Sequence, residues 1–596
     1  MSKKYVYLFS EGNAKMRAVV EQMRAEGLIP QGVKVNFGGE QEDMAENFIE
    51  LIRTMIIAIV VTYLVVASIL ESWIYAAIIL FTVPMAAIWT DPSQSVSYQA
   101  DIRESASVAH IYGQNIVAGE SFTTNGALGG AYSWYPGNLK EVADIALLSG
   151  LNRFFIHESA HQPSDKARPG LGLLIFGQWF NRHDTWAEYA KYWTDYLARS
   201  CYLLQAGKAV SDILWFYGED TNVAAAYYKA LPDVPEGYSY DFASPDVLLN
   251  QLTVKDGCAV TPGGMSYKVI VLGEEHTRAM SVPVLRKLKE LVEGGVHLVG
   301  KWPAHPASHK DMPAEFQQLK KDIWQSGREN VSTSSVADAL AHFNMAPDFQ
   351  SSYPGVRFVH RVDGQRNIYW VRNFSGHAID TDIVLRDAAG SLSVLNPVNG
   401  LYLYGVLKDG KLHMEKDQAL FIVADPSARP LTQTVPLLPT SDVALDGAWE
   451  VSFEGLEAPS GTLEWQQLAS YTASKDPAVK YFSGTATYKN SFTLSSVPFG
   501  ITLDLGEVGQ MADVYVNGEH VDFLWQAPYR TAFYGTLKPG KNTVEVKVIN
   551  TWVNRLIGDA QPGAKKSTFT VFPFYQADSP LQPAGLMGPV QITLLQ

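Results

Sequence analysis

Two uncharged runs dominate the first hundred residues. Thr54 to Leu70 reads T-M-I-I-A-I-V-V-T-Y-L-V-V-A-S-I-L, and after Glu71 a second run extends from Ser72 to Thr90. A bilayer core about 30 Å thick asks for roughly 20 apolar residues of helix. The pattern therefore predicts two transmembrane helices over 51–90, with Pro84 as a kink of the sort that membrane helices tolerate. A buried helix inside a globular core is the other reading of such runs.

Beyond about residue 93 the apolar positions become periodic. Asp101 to Gln114 reads as a helix with a small-residue face. Ile116-Val117-Ala118 reads as a short buried strand that stops at Gly119 and presents Glu120. Leu139, Val142, Ile145 and Leu148 recur every third position, which predicts an amphipathic helix closed by Gly150. Arg153 to Ile156 is a second strand, followed by the polar loop that holds His157, Glu158 and His161, and a long helix is expected from about Thr185 to Gln205. Strand, polar loop and helix in alternation is β/α barrel rhythm. About two repeats occur over 93–210 where eight close a barrel, so the segment is expected to be the C-terminal part of one.

The remainder divides by pattern into three more domains. Residues 211–330 are expected to be α/β, with a buried strand Tyr267 to Leu272, a helix Val282 to Glu293 and a parallel strand at Val296 to Val299. Residues 331–430 alternate as a small β-sandwich, and Asn373 in N-F-S is formally a glycosylation sequon. Residues 440–596 form a second β-domain, with Val516-Asn517-Gly518-Glu519 as a tight turn between strands. The fold class is thus multidomain: a transmembrane α-hairpin, a partial barrel, a Rossmann-like α/β domain, a β-sandwich and a C-terminal jelly roll.

Composition narrows the partners. A net charge of −14 argues against a nucleic-acid backbone. Aromatic residues make up 12% of the chain and include 14 Trp, whose flat amphipathic rings suit carbohydrate contact. The spacing of Cys201 and Cys258 fits neither a metal site nor a disulfide framework. The N-terminal M-S-K-K-Y-V-Y-L-F-S-E-G-N lacks an apolar core, so a cleavable signal peptide is not expected.

A carboxylate at a barrel strand's C-terminal end is a catalytic candidate, which marks Glu120, although a plain solvent-facing Glu fits the same place. His157, His161, Asn181, Arg182, Asp184 and Trp186 are candidate sugar contacts along the next rim. Two His four apart with a nearby Asp could instead hold a metal, but Pro163 and the strand-end position favour hydrogen bonding.

The motifs H-I-Y-G-Q-N-I-V-A-G-E-S-F-T, N-R-F-F-I-H-E-S-A-H-Q-P and F-G-Q-W-F-N-R-H-D-T-W resemble glycoside hydrolase family 106, the α-L-rhamnosidases, from about residue 95 to the end. T-W-V-N-R-L-I-G-D, Thr551 to Asp559, matches that family's C-terminal pattern. The resemblance implies inverting hydrolysis of terminal α-L-rhamnosides in oligo- or polysaccharides, with calcium associated and Glu120 as general base. Its acid partner lies on an earlier barrel strand in the family, and Glu158 is the substitute that strand logic offers. The α/β segment resembles glutamine-amidotransferase-like domains, with Cys258 not at a nucleophile elbow. The C-terminal domain resembles sugar-binding jelly rolls. Trp525, Tyr529, Trp552, Asn554 and Arg555 are expected mainly to pack it on the barrel.

Residues 1–88, with G-V-K-V-N-F-G-G-E-Q-E-D-M-A-E-N-F and the E-S-W turn, resemble resistance-nodulation-division efflux transporters. On that likeness 1–50 is a porter-subdomain remnant, and 54–90 implies association with a bacterial inner membrane. The hydrolase part would then be periplasmic, whereas Lys3, Lys4, Lys15, Arg17, Arg24 and Arg53 favour a cytoplasmic N-terminus. The expectation is a fusion of two fragments, with rhamnosidase activity weak or absent because the acid and most of the barrel are missing. The alternatives are a membrane-tethered carbohydrate-binding protein, told apart by binding without turnover, and an efflux component. The absence of proton-relay carboxylates from the spans argues against the last.

Overall fold

The computed structural model describes residues 16–30, 84–91, 95–177, 180–227, 229–273, 275–403, 405–408, 410–428 and 438–596. The chain divides into two compact units, Met1–Thr82 and Val83–Gln596. In the first, the described segment is the helix α1 (Met16–Ala25). The rest of the porter remnant, the first expected span and most of the second lie outside the described residues.

The end of the second span is described, and it is not a helix. Met85–Trp89 forms a strand, β1, whose Ala86 and Ile88 are buried while Met85 and Ala87 are exposed. This period of two is a strand signature. Among the described residues no helix is long and apolar enough to cross a membrane. The transmembrane hairpin and the inner-membrane location that depended on it are therefore corrected. A continuous apolar run has no period of its own, so a buried strand and a membrane helix look alike in it.

The expected barrel region thus contains a parallel sheet of three described strands. β1 pairs in parallel with β2 (Ala118–Thr123), and β2 with β3 (Arg153–Ile156). Between them run α2 (Ser95–Tyr112) and α3 (Pro136–Leu148), and after β3 comes α4 (Ala190–Leu204). One face of the sheet carries Ala86, Ile88 and Phe154 into a core with Leu139, Val142 and Trp193. The opposite face presents Ala87, Glu120 and Phe155, which stand side by side in the register. On that face Met85 and Phe155 are each 50% exposed.

The next domain is a five-stranded parallel sheet. Its strands are β4 (Ile213–Phe216), β5 (Tyr240–Ala243), β6 (Val269–Leu272), β7 (His297–Val299) and β8 (Val331–Ser332), in the order β8-β7-β6-β4-β5. The helix α5 (Val282–Glu293) starts at Ser281, whose hydroxyl accepts from the Val284 N–H, and buries Leu285, Leu288 and Val292. Local capping and periodicity both favour it there.

Two β-sandwiches follow. The first pairs a six-stranded with a four-stranded sheet, and Lys208–Ala209, from the end of the barrel segment, forms one edge of the larger. Asn373 is fully buried and its amide donates to the His377 and Glu415 carbonyls, so the sequon is part of the core. In the second sandwich, strands Met511–Val516 and Glu519–Leu524 are joined through Asn517 and Gly518, both at positive φ, as a tight hairpin requires.

The domains are tied by buried contacts. Trp525 is 1% exposed and packs edge-on against Trp193 and Tyr196 of α4. The Trp552 indole N–H donates to the His183 carbonyl at 2.8 Å. Tyr529, Asn554 and Arg555 are held within the C-terminal domain by Gln510, Gln582 and Asp559 respectively. Lys140 and Asp144 on α3 meet Arg372 of the first sandwich in a buried ion cluster.

Candidate active site

The strand that carries Glu120 begins where the sequence pattern ends it. β2 runs Ala118–Thr123, so Glu120 lies inside the strand and not at its end. Gly119 is needed for packing rather than for a turn. A Cβ there would lie 2.3 Å from Leu151 Cδ1 and 3.0 Å from Ile88 Cδ1. Glu120, one residue on, faces the other way, as alternation requires. Past Glu120 the register slips between Ala87 and Trp89, and Phe122 takes a φ of 68°. That bulge returns Phe122 to the helix side, where it stacks on Phe154. Glu120 is left half-buried on the uncovered face, and its carboxylate has no hydrogen-bond or ion-pair partner among the described residues.

The rim above it is tightly cross-linked. Thr90 and Thr124, just past β1 and β2, share a hydroxyl hydrogen bond of 2.6 Å. The His157 N–H donates to the Ser121 carbonyl at 2.9 Å, and the Gly177 N–H to the Thr124 carbonyl at 3.0 Å. Gln162 clamps the loop by pairing its side-chain amide with both backbone groups of Leu171. On this rim His157 Nδ1 and Glu158 Oε1 are buried without a hydrogen-bond partner. Buried polar atoms are rarely left so in a finished core, and such orphans commonly await a ligand or water.

The other candidates separate from that pair. His161 is exposed. Arg182 is exposed and donates to the Gln162 carbonyl and to Asp165, whose carboxyl it holds below the usual range together with His183. The Asn181 side-chain oxygen accepts from the His183 N–H, a local turn contact. Trp186 is 1% exposed, in the core against Phe180. Burial pushes the Asp184 carboxyl well above the usual carboxylate range, opposed only in part by a hydrogen bond from the Thr185 N–H.

One residue was not singled out from sequence. His183 is 5% exposed, and both ring nitrogens lack hydrogen bonds, with Nε2 3.6 Å from Asp165. It stands in the same N-R-H-D-T-W stretch as four chosen residues, but nothing in the spacing marks it as buried. Calcium finds no support in the side chains. Among the described residues no group of three or more His, Cys, Asp or Glu could hold a metal ion. The residues present do not form such a donor set, and no chemical step is assigned to one.

A parallel β/α sheet that carries Glu120 on the face away from its helices, followed by an α/β domain and two sandwiches, defines a class of multidomain architecture. The family model described as alpha-L-rhamnosidase, Glyco_hydro_106, matches residues 78–402, more than half the chain, which belongs to this family. The match begins at residue 78, inside the stretch expected to come from a transporter, so the rhamnosidase-like part starts before the expected residue 95, and neither a transporter fragment nor a fusion finds support. A rhamnosidase structure from Novosphingobium sp. PP1Y is 38% identical with a TM-score of 0.77, over 86% of this chain and 51% of that one. A "Putative beta-glucuronidase" of Formosa agariphila is 24% identical, over 82% of this chain and 64% of its own length. The chain thus spans about half to two thirds of the length of these relatives.

Proposed function

We propose that this chain takes part in hydrolysis of terminal α-L-rhamnosides with inversion, and that Glu120 is the general base. The observation that carries the reading is the half-buried Glu120 carboxylate, without a partner among the described residues, on the face of β2 away from the helices. A carboxylate without an ion-pair partner keeps its lone pairs for a water molecule. Inversion sets that base and the acid about 6.5–9.5 Å apart, on opposite sides of the sugar ring.

Glu158 is the acid we assign within this chain. It stands just past β3, with one oxygen buried and unsatisfied. Proton donation to the leaving oxygen needs a carboxyl within hydrogen-bond reach of it. His157, on the same rim, is assigned to a sugar hydroxyl. Arg182 and His161 lie on the exposed loop, where they could meet the glycan beyond the cleaved residue. Asp184, Asn181 and Trp186 are assigned to holding the loop.

The test is release of p-nitrophenol from p-nitrophenyl α-L-rhamnoside, with the anomer of the first-formed rhamnose followed by NMR. Glu120→Gln should lower kcat by about 10²–10⁴-fold. An unchanged rate, or retention of anomeric configuration, would overturn the assignment.

A further inference from the structure

A second cleft lies away from Glu120, where three parts of the molecule meet. Its volume is about 480 Å³, within the range of small-ligand sites. One wall is a face of α4, where Lys191, Asp195 and Arg199 recur four apart beside Tyr192. The second is built from the turns at Asn396–Asn399 and Glu415–Gln418 of the first sandwich, and the third from 522–530 of the C-terminal domain.

Apart from the exposed Lys416, the charges of the cleft are held by partners among the described residues. Asp195 is paired with both Lys191 and Arg199, and the Arg199 guanidinium also donates to the Val398 carbonyl at 2.7 Å. Arg530 is paired with Asp504 at 2.8 Å and reaches Glu415 at 3.8 Å. Asp522 accepts from the Phe523 N–H and the Thr531 hydroxyl. Away from Lys416, an ionic ligand would have to break these pairs to be held.

The carboxamides are in the opposite state. Asn396, Asn399 and Gln418 each use the side-chain oxygen to accept a backbone N–H, and their NH₂ groups have no partner among the described residues. Among the described residues Gln526, also on the lining, makes no side-chain hydrogen bond. Beside them the half-buried Tyr192 ring rests on Phe523, with centroids 4.9 Å apart, and gives the cleft a flat apolar wall. Unpaired amide donors next to one aromatic face suit a ring that bears hydroxyl acceptors on its rim and C–H groups on its face.

We propose that this cleft binds an uncharged oligosaccharide, as a site separate from Glu120. It holds the glycan to the molecule without reacting with it. The proposal does not depend on the rhamnosidase assignment, and its test is kept apart from turnover.

The full chain is titrated by calorimetry with maltotriose, xylotriose and α-linked rhamnose trisaccharide, with trigalacturonate as the charged counterpart. At least one neutral trisaccharide should bind one to one. Gln526→Ala, which breaks no hydrogen bond among the described residues, should weaken it about five-fold, the worth of one neutral hydrogen bond. Gln526→Trp should block it, and Glu120→Gln should leave it unchanged. No heat from any neutral sugar, tighter binding of trigalacturonate, or binding untouched by both Gln526 variants would overturn the proposal. Binding lost in Glu120→Gln but kept in the Gln526 variants would also overturn it, because the sugar would then sit on β2. Hydrolysis by Glu120 is read separately, from p-nitrophenol release.

Discussion

Glu158 lies directly over the bare Cα of Gly177. A Cβ built on Gly177 would stand 2.8 Å from Glu158 Cγ, and Gly177 has a φ of +101°. The loop returning from 171–177 thereby sets where the Glu158 carboxyl rests, and the hydrogen bond from Gly177 to Thr124 ties that loop to β2.

Gly177→Ala is expected to fail on both counts. The backbone conformation would be strained by about 1–3 kcal/mol, and the methyl would push Glu158 from its place. The check is the unfolding midpoint together with kcat on p-nitrophenyl rhamnoside. If Glu158 is the acid, kcat should fall more than the loss of folded protein explains.

Gly119→Ala should destabilise the barrel segment by about 1–3 kcal/mol, since the new methyl overlaps Leu151 Cδ1. Leu151→Ala empties that space at its own expense. The double variant should therefore be less destabilised than the two single changes added together, as measured in a chemical-denaturation cycle.

Asp144→Ala should be the most damaging of these changes, at about 3–5 kcal/mol. Asp144 is fully buried between Lys140 and Arg372, with Arg372 Nε 2.6 Å away. Its removal leaves two buried cations facing each other across the junction of α3 and the first sandwich. Denaturation midpoints, with and without Arg372→Met in the same chain, separate the lost pair from the stranded charge.

Asp184 carries a pH dependence of unusual sign. Its carboxyl is raised by burial, so the folded state favours the protonated form. Stability from this group is full below the ordinary carboxylate pKa and declines as pH rises from there toward the folded value. Asp184→Asn should thus raise the melting temperature at pH 7 and change it little near pH 3. An equal effect at both values would show that ionisation is not the cause.

Asp241 behaves in the usual direction. Burial would raise its carboxyl, but His110 at 2.9 Å, Arg103 and Tyr267 bring it below the usual range. Its stabilising contribution is present above the unfolded pKa near 4 and is lost as pH falls through the lower, folded value. Asp241→Asn should flatten the acid limb of the stability curve below about pH 4. A limb unchanged in that variant would assign acid unfolding to other carboxylates.

Local chemistry made part of this molecule legible in its sequence. Ser281, Pro283 and the spacing of Leu285, Leu288 and Val292 specify α5 without help from elsewhere, and Asn517-Gly518 specifies its hairpin because few other residues adopt those φ angles. The motif around Glu120 was likewise recognisable. What local chemistry could not decide was which partner an apolar run would meet. Met85 to Trp89 belongs to a strand only because β2 lies alongside it, and Gly119 is required only because Leu151 and Ile88 crowd its far side. The direction of Glu120 follows from that crowding and from the bulge at Phe122, and the burial of Trp525 and Trp552 follows from where the C-terminal domain docks. A sequence written along one dimension records periods and caps. Proximity between residues far apart in the chain arises only when it has folded, and in this protein that proximity sets the exposed face that carries Glu120, the burial of the His183 imidazole and the amide-lined cleft.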